Sequence, residues 1–377
     1  MKKIAFFAQN LGGGGAERVL VDLANLIESN YGENYSVTVC TVFSGVLEDQ
    51  LDSKIRFVKL INRDFSKRRS VINKLFFTFL CMGKGEILRK LIDKKLKDNF
   101  DVEIAFLEGL PAKIVSINEN KDVKRIGWIH ANLKKLDYTA KFFSSRKHEL
   151  DTYNKLDRLV FVSDECYSGY KDEFGENHKN TSIIKNIADC QRIRTLAQEK
   201  VDFNFPYICT VGRLSDEKGF DRLIEAYNSL LRTNKISNLK LVIVGSGKKE
   251  EELKKLVNHY GIQDKVIFIP FSGNPYKYIE RCEFFVSSSR TEGYPLVVVE
   301  ALLLKKPVLV TETGATSVVE NGKYGMVVEN STKGIQQGII QMLADSEIYK
   351  QKAILGSTKI HVENDEKIEK ILDVLGG

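Results

Sequence analysis

Two glutamates eight positions apart, Glu292 and Glu300, frame the stretch EGYPLVVVE. Glu292 precedes a Gly293-Tyr294-Pro295 turn, and Glu300 interrupts a run of aliphatic residues. A carboxylate inside an apolar helix serves either a structural ion pair or a ligand that offers hydrogen-bond donors. With Pro295 at the first helical position, Glu300 would lie roughly 7.5 Å further along the axis. A ligand draped over this helix end, across Gly293 to Leu296, would meet backbone N–H groups in the middle and a carboxylate at each side. The helix dipole suits a phosphate in the middle, and carboxylates suit the hydroxyls of sugar and ribose rings. A sugar joined through a diphosphate to a ribose has that shape.

Three further loops hold residues of the right type. In VGRLSDEKGFDRLIEA, Arg213 and Lys218 converge with a helix start where a strand ends, a cluster that suits a diphosphate. The competing reading is a surface pairing of Arg213 with Asp216 or Asp221. In QNLGGGGAERVLVDLANLI, four glycines open a helix, and Gly14 and Gly15 would let the backbone approach a ligand closely. A flexible turn is the alternative. It is not a dinucleotide fingerprint, because Glu17 stands where a third small residue belongs and VTVCTVF ends without an acidic residue. VGSGKKEEEL is not a phosphate loop either, since Val242 replaces the first glycine and Lys249 the Ser or Thr. His130 ends the apolar run RIGWIH, and the other histidines stand apart from it.

These loops need strands to hold them. Apolar runs are expected as strands at 3–8, 36–43, 56–61, 102–107, 125–130, 158–163 and 182–187. A second series follows at 207–212, 239–245, 266–270, 284–288, 307–311 and 326–329. Near-continuous Val/Ile/Leu runs between amphipathic segments indicate buried parallel strands with crossover helices. Phe220, Leu223, Ile224, Tyr227, Leu230 and Leu231 mark one helix face. Two such series predict an α/β fold with two doubly wound Rossmann-like domains facing across a cleft, the default ligand site. The domains are expected over 1–188 and 206–356, joined by a polar segment, with a C-terminal helix over about 357–377 packing back on the first.

Composition narrows the class. A chain of 377 residues exceeds one ordinary core, and no apolar run approaches the roughly 20 residues of a membrane span. The short apolar N-terminus is no secretory leader. Six scattered cysteines read as buried hydrophobes in a reducing cytoplasm rather than a metal site or disulfide frame. The net charge of +7 is concentrated: residues 63–97 hold eleven Lys and Arg against three acidic residues, interleaved with Phe65, Phe76, Phe77 and Phe79. That mixture suits an anionic bilayer surface or a solvated helix pair. No nucleic-acid motif accompanies it.

Taken together, EGYPLVVVEA, VGRLSDEKG, GGGGAER and TGATSVVENGKYGMVV resemble the family-4 glycosyltransferases of GT-B fold, over nearly the whole chain and in matching order. The resemblance implies transfer from a nucleotide sugar with retention of anomeric configuration, without a cofactor or required metal. Arg213 and Lys218 would neutralise the leaving diphosphate. Glu292 would hold donor-sugar hydroxyls, Glu300 the ribose, and Gly293, Tyr294, Pro295 and Leu296 would seat sugar and phosphate. His130 would touch the transferred sugar, Gly14 and Gly15 the phosphate or acceptor, and Ile267 to Phe271 the base. Glu108, in FLEGLP, is an acceptor contact by position. Glu312-Thr313-Gly314-Ala315 departs from the acidic-Gly-Gly of many relatives.

The expectation is a cytoplasmic enzyme, peripheral at the inner face of the cell membrane, extending a lipid-linked or surface glycan from a UDP-sugar. Its partners would be the nucleotide-sugar donor, the glycan acceptor and, through residues 63–97, the anionic membrane surface. Alternatives from other classes are a non-catalytic nucleotide-sugar-binding partner of another transferase and a GT-B-fold epimerase or phosphorylase.

Overall fold

The computed structural model describes residues 1–60, 86–97, 99–135, 139–176, 178, 180–236 and 238–376. The chain divides into two units, Met1–Ile187 with Glu369–Gly377, and Ala188–Ile368. All thirteen expected strands are present. In the first unit these are β1 (Lys2–Ala8), β2 (Tyr35–Thr41), β3 (Arg56–Lys59), β4 (Val102–Ala105), β5 (Lys124–Ile129), β6 (Arg158–Phe161) and β7 (Thr181–Ile183). In the second they are β8 (Tyr207–Val211), β9 (Lys240–Val244), β10 (Val266–Ile269), β11 (Phe285–Ser287), β12 (Val308–Thr311) and β13 (Met326–Val328). Most end short of the apolar run that signals them. Ile184 and Ile187, for example, are buried beyond the end of β7, because apolar patterning reports burial rather than ladder pairing.

Every strand pair is parallel, so both faces of each sheet need covering helices. The first sheet runs β3-β2-β1-β4-β5-β6-β7 and the second β10-β9-β8-β11-β12-β13. Chain order reverses between β1 and β4, and again between β8 and β11. Neighbouring loops diverge to opposite faces at such points and leave a crevice beyond the strand ends. Each unit is therefore doubly wound and Rossmann-like.

Helix Phe220–Arg232 shows how the second core forms. Phe220, Leu223, Ile224, Tyr227 and Leu230 are buried against Ile208, Leu241 and Ile243, while Leu231 is only partly covered. Each fully buried large apolar side chain on that face contributes about 1.5–3 kcal/mol.

The segment read as a polar linker contains a helix, Cys190–Ala197, that belongs to the second unit. The long C-terminal helix Ser346–Leu375 ends in the first unit, where Lys124 Nζ donates to the Val374 carbonyl at 2.7 Å and Lys2 Nζ to that of Leu375 at 3.3 Å. Lysines suit the unpaired carbonyls of a helix end.

Most of the stretch 63–97 lies outside the described residues. Its last part forms helix Glu86–Leu96, where Arg89 forks onto buried Glu103 at 2.7 and 2.9 Å. That cation is structural. Five cysteines, Cys40, Cys166, Cys190, Cys209 and Cys282, are free, and all but Cys190 are buried. Among the described residues no helix is long and apolar enough to cross a membrane, and no cluster of His, Cys, Asp or Glu could hold a metal ion.

Candidate functional site

The loops after the switch-point strands carry most of the residues singled out above. The glycine loop follows β1 and Glu108 follows β4. Arg213 and Lys218 follow β8, and Glu292 follows β11. Elsewhere among the described residues, four helices are capped by side chains, at Ser145, Ser163, Asp189 and Ser331, whereas those starting at Lys249, Pro275 and Gly314 are not. Those following β1, β4, β8 and β11 start at Gly14, Gly109, Gly219 and Pro295 with no side-chain cap. No side chain of the cap residue thus covers the first-turn N–H groups of these four helices.

In the second unit the β8 and β11 loops interlock. Lys218 Nζ makes an ion pair with Glu292 Oε1, and both side chains are mostly covered, 22% and 14% exposed. Ser289 donates to the same oxygen at 2.8 Å. Beneath them Ser288 Oγ donates to the Lys218 carbonyl at 3.0 Å, and buried Thr311 to that of Ser289 at 2.6 Å. Gly219 closes the Lys218 turn with φ +62, and a Cβ there would stand 2.3 Å from the Ser288 carbonyl oxygen. Only glycine fits so close to a neighbouring backbone in that conformation. Gly314 is equally confined: its N–H bonds Glu292 O at 3.0 Å, and a Cβ would meet Gly293 O at 2.0 Å.

Arg213 is exposed and has no side-chain partner among the described residues. Both proposed surface partners are engaged otherwise, Asp216 with Lys249 at 2.9 Å and Asp221 with Arg290 at 2.6 Å. This leaves the guanidinium available for an anion.

The helix behind Glu292 spans Leu296–Leu303. Pro295 is its N-cap, with φ −72 and ψ 109, rather than its first helical residue as expected. The ring constrains φ alone, and the extended ψ belongs to the turn that delivers Glu292. Glu300 stays in the second turn, 7% exposed, and accepts from Tyr276 Oη at 3.2 Å. Tyr294 is buried within the turn, and burial pushes its hydroxyl pKa up. Phe271, in the segment matched to a base, is half exposed at 49% beside the end of β10.

The first unit presents different chemistry. Gly13 has φ +89, and Gly14 caps helix Gly15–Tyr31. The group close to Gly14 is the Glu17 carboxylate, whose Oε2 would stand 2.3 Å from a Cβ there. The close approach suggested by the glycines is thus taken by an acidic side chain in the helix's own first turn. That is a favourable place for an anion.

Glu108 is 3% exposed, and its Oε2 accepts from the His130 backbone N–H at 3.0 Å. Its Oε1 is buried without a hydrogen-bond partner. Burial pushes its pKa up from 4.5 to about 7, opposed by the backbone bond from His130. Gly109, with φ +80, turns the chain immediately after it, and a Cβ there would lie 2.7 Å from the Phe142 ring. The His130 ring packs on Phe106, centroids 5.0 Å apart, with both nitrogens buried and without a partner at hydrogen-bond geometry. Burial pushes its pKa down to about 3, so the ring is neutral near pH 7.

The sequence reading singled out Lys218, Glu292, Glu108 and His130 separately and predicted neither the Lys218–Glu292 nor the Glu108–His130 contact. It missed Ser289, Glu17, Tyr276 and Arg192. The run of three serines at the end of β11 was the only local sign of Ser289, and nothing near Glu300 in the chain signals Tyr276.

Residues 192–355, inside the second unit, match the family model described as glycosyl transferases group 1. The N-acetylgalactosamine-N,N'-diacetylbacillosaminyl-diphospho-undecaprenol 4-alpha-N-acetylgalactosaminyltransferase of Campylobacter jejuni is 27% identical, covering 100% of this chain and 99% of its own. An uncharacterized glycosyltransferase of Haemophilus influenzae is 28% identical over 99% of this chain and 98% of its own. Among solved structures, Anabaena HepE in complex with UDP and glucose superposes with a TM-score of 0.78 at 18% identity, covering 100% of both chains. The chain has the GT-B fold and is related along its full length to sugar transferases that use it.

Proposed function

We propose that this chain is a retaining hexosyltransferase of the family-4 type. It moves a sugar from a nucleoside-diphosphate donor, a UDP-sugar, to a lipid-linked glycan in cell-surface polysaccharide or glycoconjugate synthesis. The observation that carries this reading is the cluster at the β8/β11 switch point. Lys218 and Glu292 meet there beside an uncapped helix start, with Arg213 exposed nearby and Glu300 one turn below.

In the proposed reaction the bond from the sugar's anomeric carbon to the diphosphate oxygen breaks, and UDP leaves with the electron pair. The acceptor hydroxyl forms the new glycosidic bond on the same face, and its proton passes to the leaving phosphate. Arg213 and Lys218 neutralise charge that grows as the bond breaks, which lowers the barrier more than it tightens substrate binding. Glu292 holds sugar hydroxyls, Glu300 the ribose diol, and Phe271 lies against the base. Gly293 to Leu296 supply backbone donors. His130, neutral at pH 7, touches the transferred sugar. Glu108 accepts a hydrogen bond from the acceptor. Glu17 beside Gly14 favours the hydroxyl-rich acceptor over the phosphate as the partner of the Gly14-Gly15 turn.

The lipid-linked acceptor is supported by the name of the Campylobacter relative and the UDP donor by the ligands of the Anabaena structure. The peripheral membrane location rests on residues 63–97 alone. The test is release of nucleotide from a panel of UDP- and GDP-sugars, with and without lipid-diphosphate acceptors. Acceptor-stimulated UDP release with a glycosylated product is expected. Binding of the donor without turnover against every acceptor tested would favour the non-catalytic alternative, and product formed without acceptor would favour the epimerase.

A further inference from the structure

Glu300 is one carboxylate in a helix that otherwise reads Leu-Val-Val-Val-Ala-Leu-Leu, and Val298, Val299, Ala301 and Leu302 around it are fully buried. A carboxylate in such surroundings is costly unless donors reach it. One donor is the hydroxyl of Tyr276, 3.2 Å from Glu300 Oε1, on a side chain 2% exposed. That hydroxyl in turn accepts from Arg192 Nη2 at 3.0 Å, with the guanidinium 5.5 Å from the Tyr276 ring centroid.

The direction of this chain follows from its chemistry. Arginine has donors and no acceptor, so Arg192 can only give to Tyr276 Oη. The single phenolic proton is then directed to Glu300. Hydrogen bonds in series polarise one another.

The anchor is firm. Asp189 caps helix Cys190–Ala197 at the Arg192 N–H, 2.8 Å away. The segment carrying Tyr276 is tied to the same helix: Asn274 Nδ2 donates to Leu196 O at 2.8 Å, and Arg281 Nη1 to Ala197 O at 3.1 Å. Three stretches far apart in sequence thus converge on the Glu300 carboxylate.

We infer that Arg192 and Tyr276 are positioning residues that hold the Glu300 carboxylate ready to accept a ribose diol. They set a preference for ribonucleoside over deoxyribonucleoside diphosphates. The inference rests on the donor-site reading of Glu300 given above. A carboxylate fixed before the ligand arrives loses less rotamer freedom on binding than one that must first be ordered.

The test is titration calorimetry of the full-length chain with UDP, 2′-deoxy-UDP and 3′-deoxy-UDP, alongside thermal melting. The wild type is expected to prefer UDP by about tenfold or more, and Glu300→Ala to abolish the preference. Tyr276→Phe should cut the preference about 3- to 10-fold while leaving the deoxy-UDP affinities unchanged. A purely packing role would weaken all three ligands together. Arg192→Gln, which keeps the tyrosine in place, should lower the preference by a smaller factor and serves where Tyr276→Phe lowers the melting temperature.

Wild-type preference that Glu300→Ala abolishes, but that Tyr276→Phe and Arg192→Gln leave intact, overturns the relay and spares the donor site. Equal wild-type affinity for UDP and its deoxy analogues, unchanged in Glu300→Ala, overturns both.

Discussion

The two switch points are built alike and differ in charge, with Lys218 set against Glu292 at one and, among the described residues, no cation set against Glu108 at the other. At β8/β11 the second unit presents Lys218 and Arg213 around two carboxylates, with the ion pair partly open to solvent. At β1/β4 the first unit presents Glu17 and Glu108, beside a histidine kept neutral by burial. A diphosphate would find cations at the former, while the carboxylates of the latter would repel it. A neutral, hydroxyl-rich ligand suits carboxylate acceptors. One topology, used twice in the chain, therefore carries two loop clusters of different chemistry. The difference lies in a handful of loop residues rather than in the sheets.

The comparison breaks most readily at Glu292. Glu292→Ala removes the proposed sugar contact and leaves Lys218 without its carboxylate, so kcat/KM for the donor should fall about 100- to 1000-fold. Steady-state UDP release measures it, and an unchanged value would remove the sugar from this side.

Glu108→Gln probes the other switch point. Acceptor-dependent transfer should fall about 10- to 100-fold, more than release without acceptor. Wild-type transfer should rise with pH through about 7 as Glu108 ionises, and the variant should lose that limb.

Stability gives Glu108 a second signature. Its pKa is higher folded, at about 7, than the ordinary 4.5, so the native state holds this proton more tightly than the unfolded chain. The contribution is complete below pH 4.5 and lost as pH rises through 7. At pH 8 the Gln variant should therefore be more stable than wild type by up to about 3 kcal/mol, with no such gain at pH 4, as read by denaturant melts.

The smallest effect is expected at Ser289. Ser289→Ala removes one of the hydrogen bonds to Glu292 Oε1, and kcat/KM should drop about 3- to 10-fold. A change as large as that of Glu292→Ala would mean that the serine touches substrate directly.

Much of the frame was legible from patterning. Buried parallel strands read as Val/Ile/Leu runs, and the loops that follow them carry the charged residues, so Arg213, Lys218, Glu292, Glu108 and His130 all lie in loops at strand ends. Bonds between distant segments were not legible. Arg192, Tyr276 and Glu300 leave no periodic trace because each link spans many residues of chain. The Glu17 carboxylate was read as a departure from a nucleotide fingerprint, when its place is against Gly14. Pro295 misled by one position, because proline constrains φ and leaves ψ to the turn. Charge density over 63–97 reads as membrane affinity, yet Arg89 within it is bound to Glu103.

The central claim is that the β8/β11 switch point holds a nucleoside diphosphate through Lys218. Calorimetric titration with UDP, UMP and uridine tests it most directly. The account predicts that wild type binds UDP more tightly than UMP by about tenfold or more, the scale of a charge-assisted contact. Lys218→Ala should lose that increment while keeping its affinity for UMP. An undiminished UDP-over-UMP increment in a folded Lys218→Ala protein would contradict it.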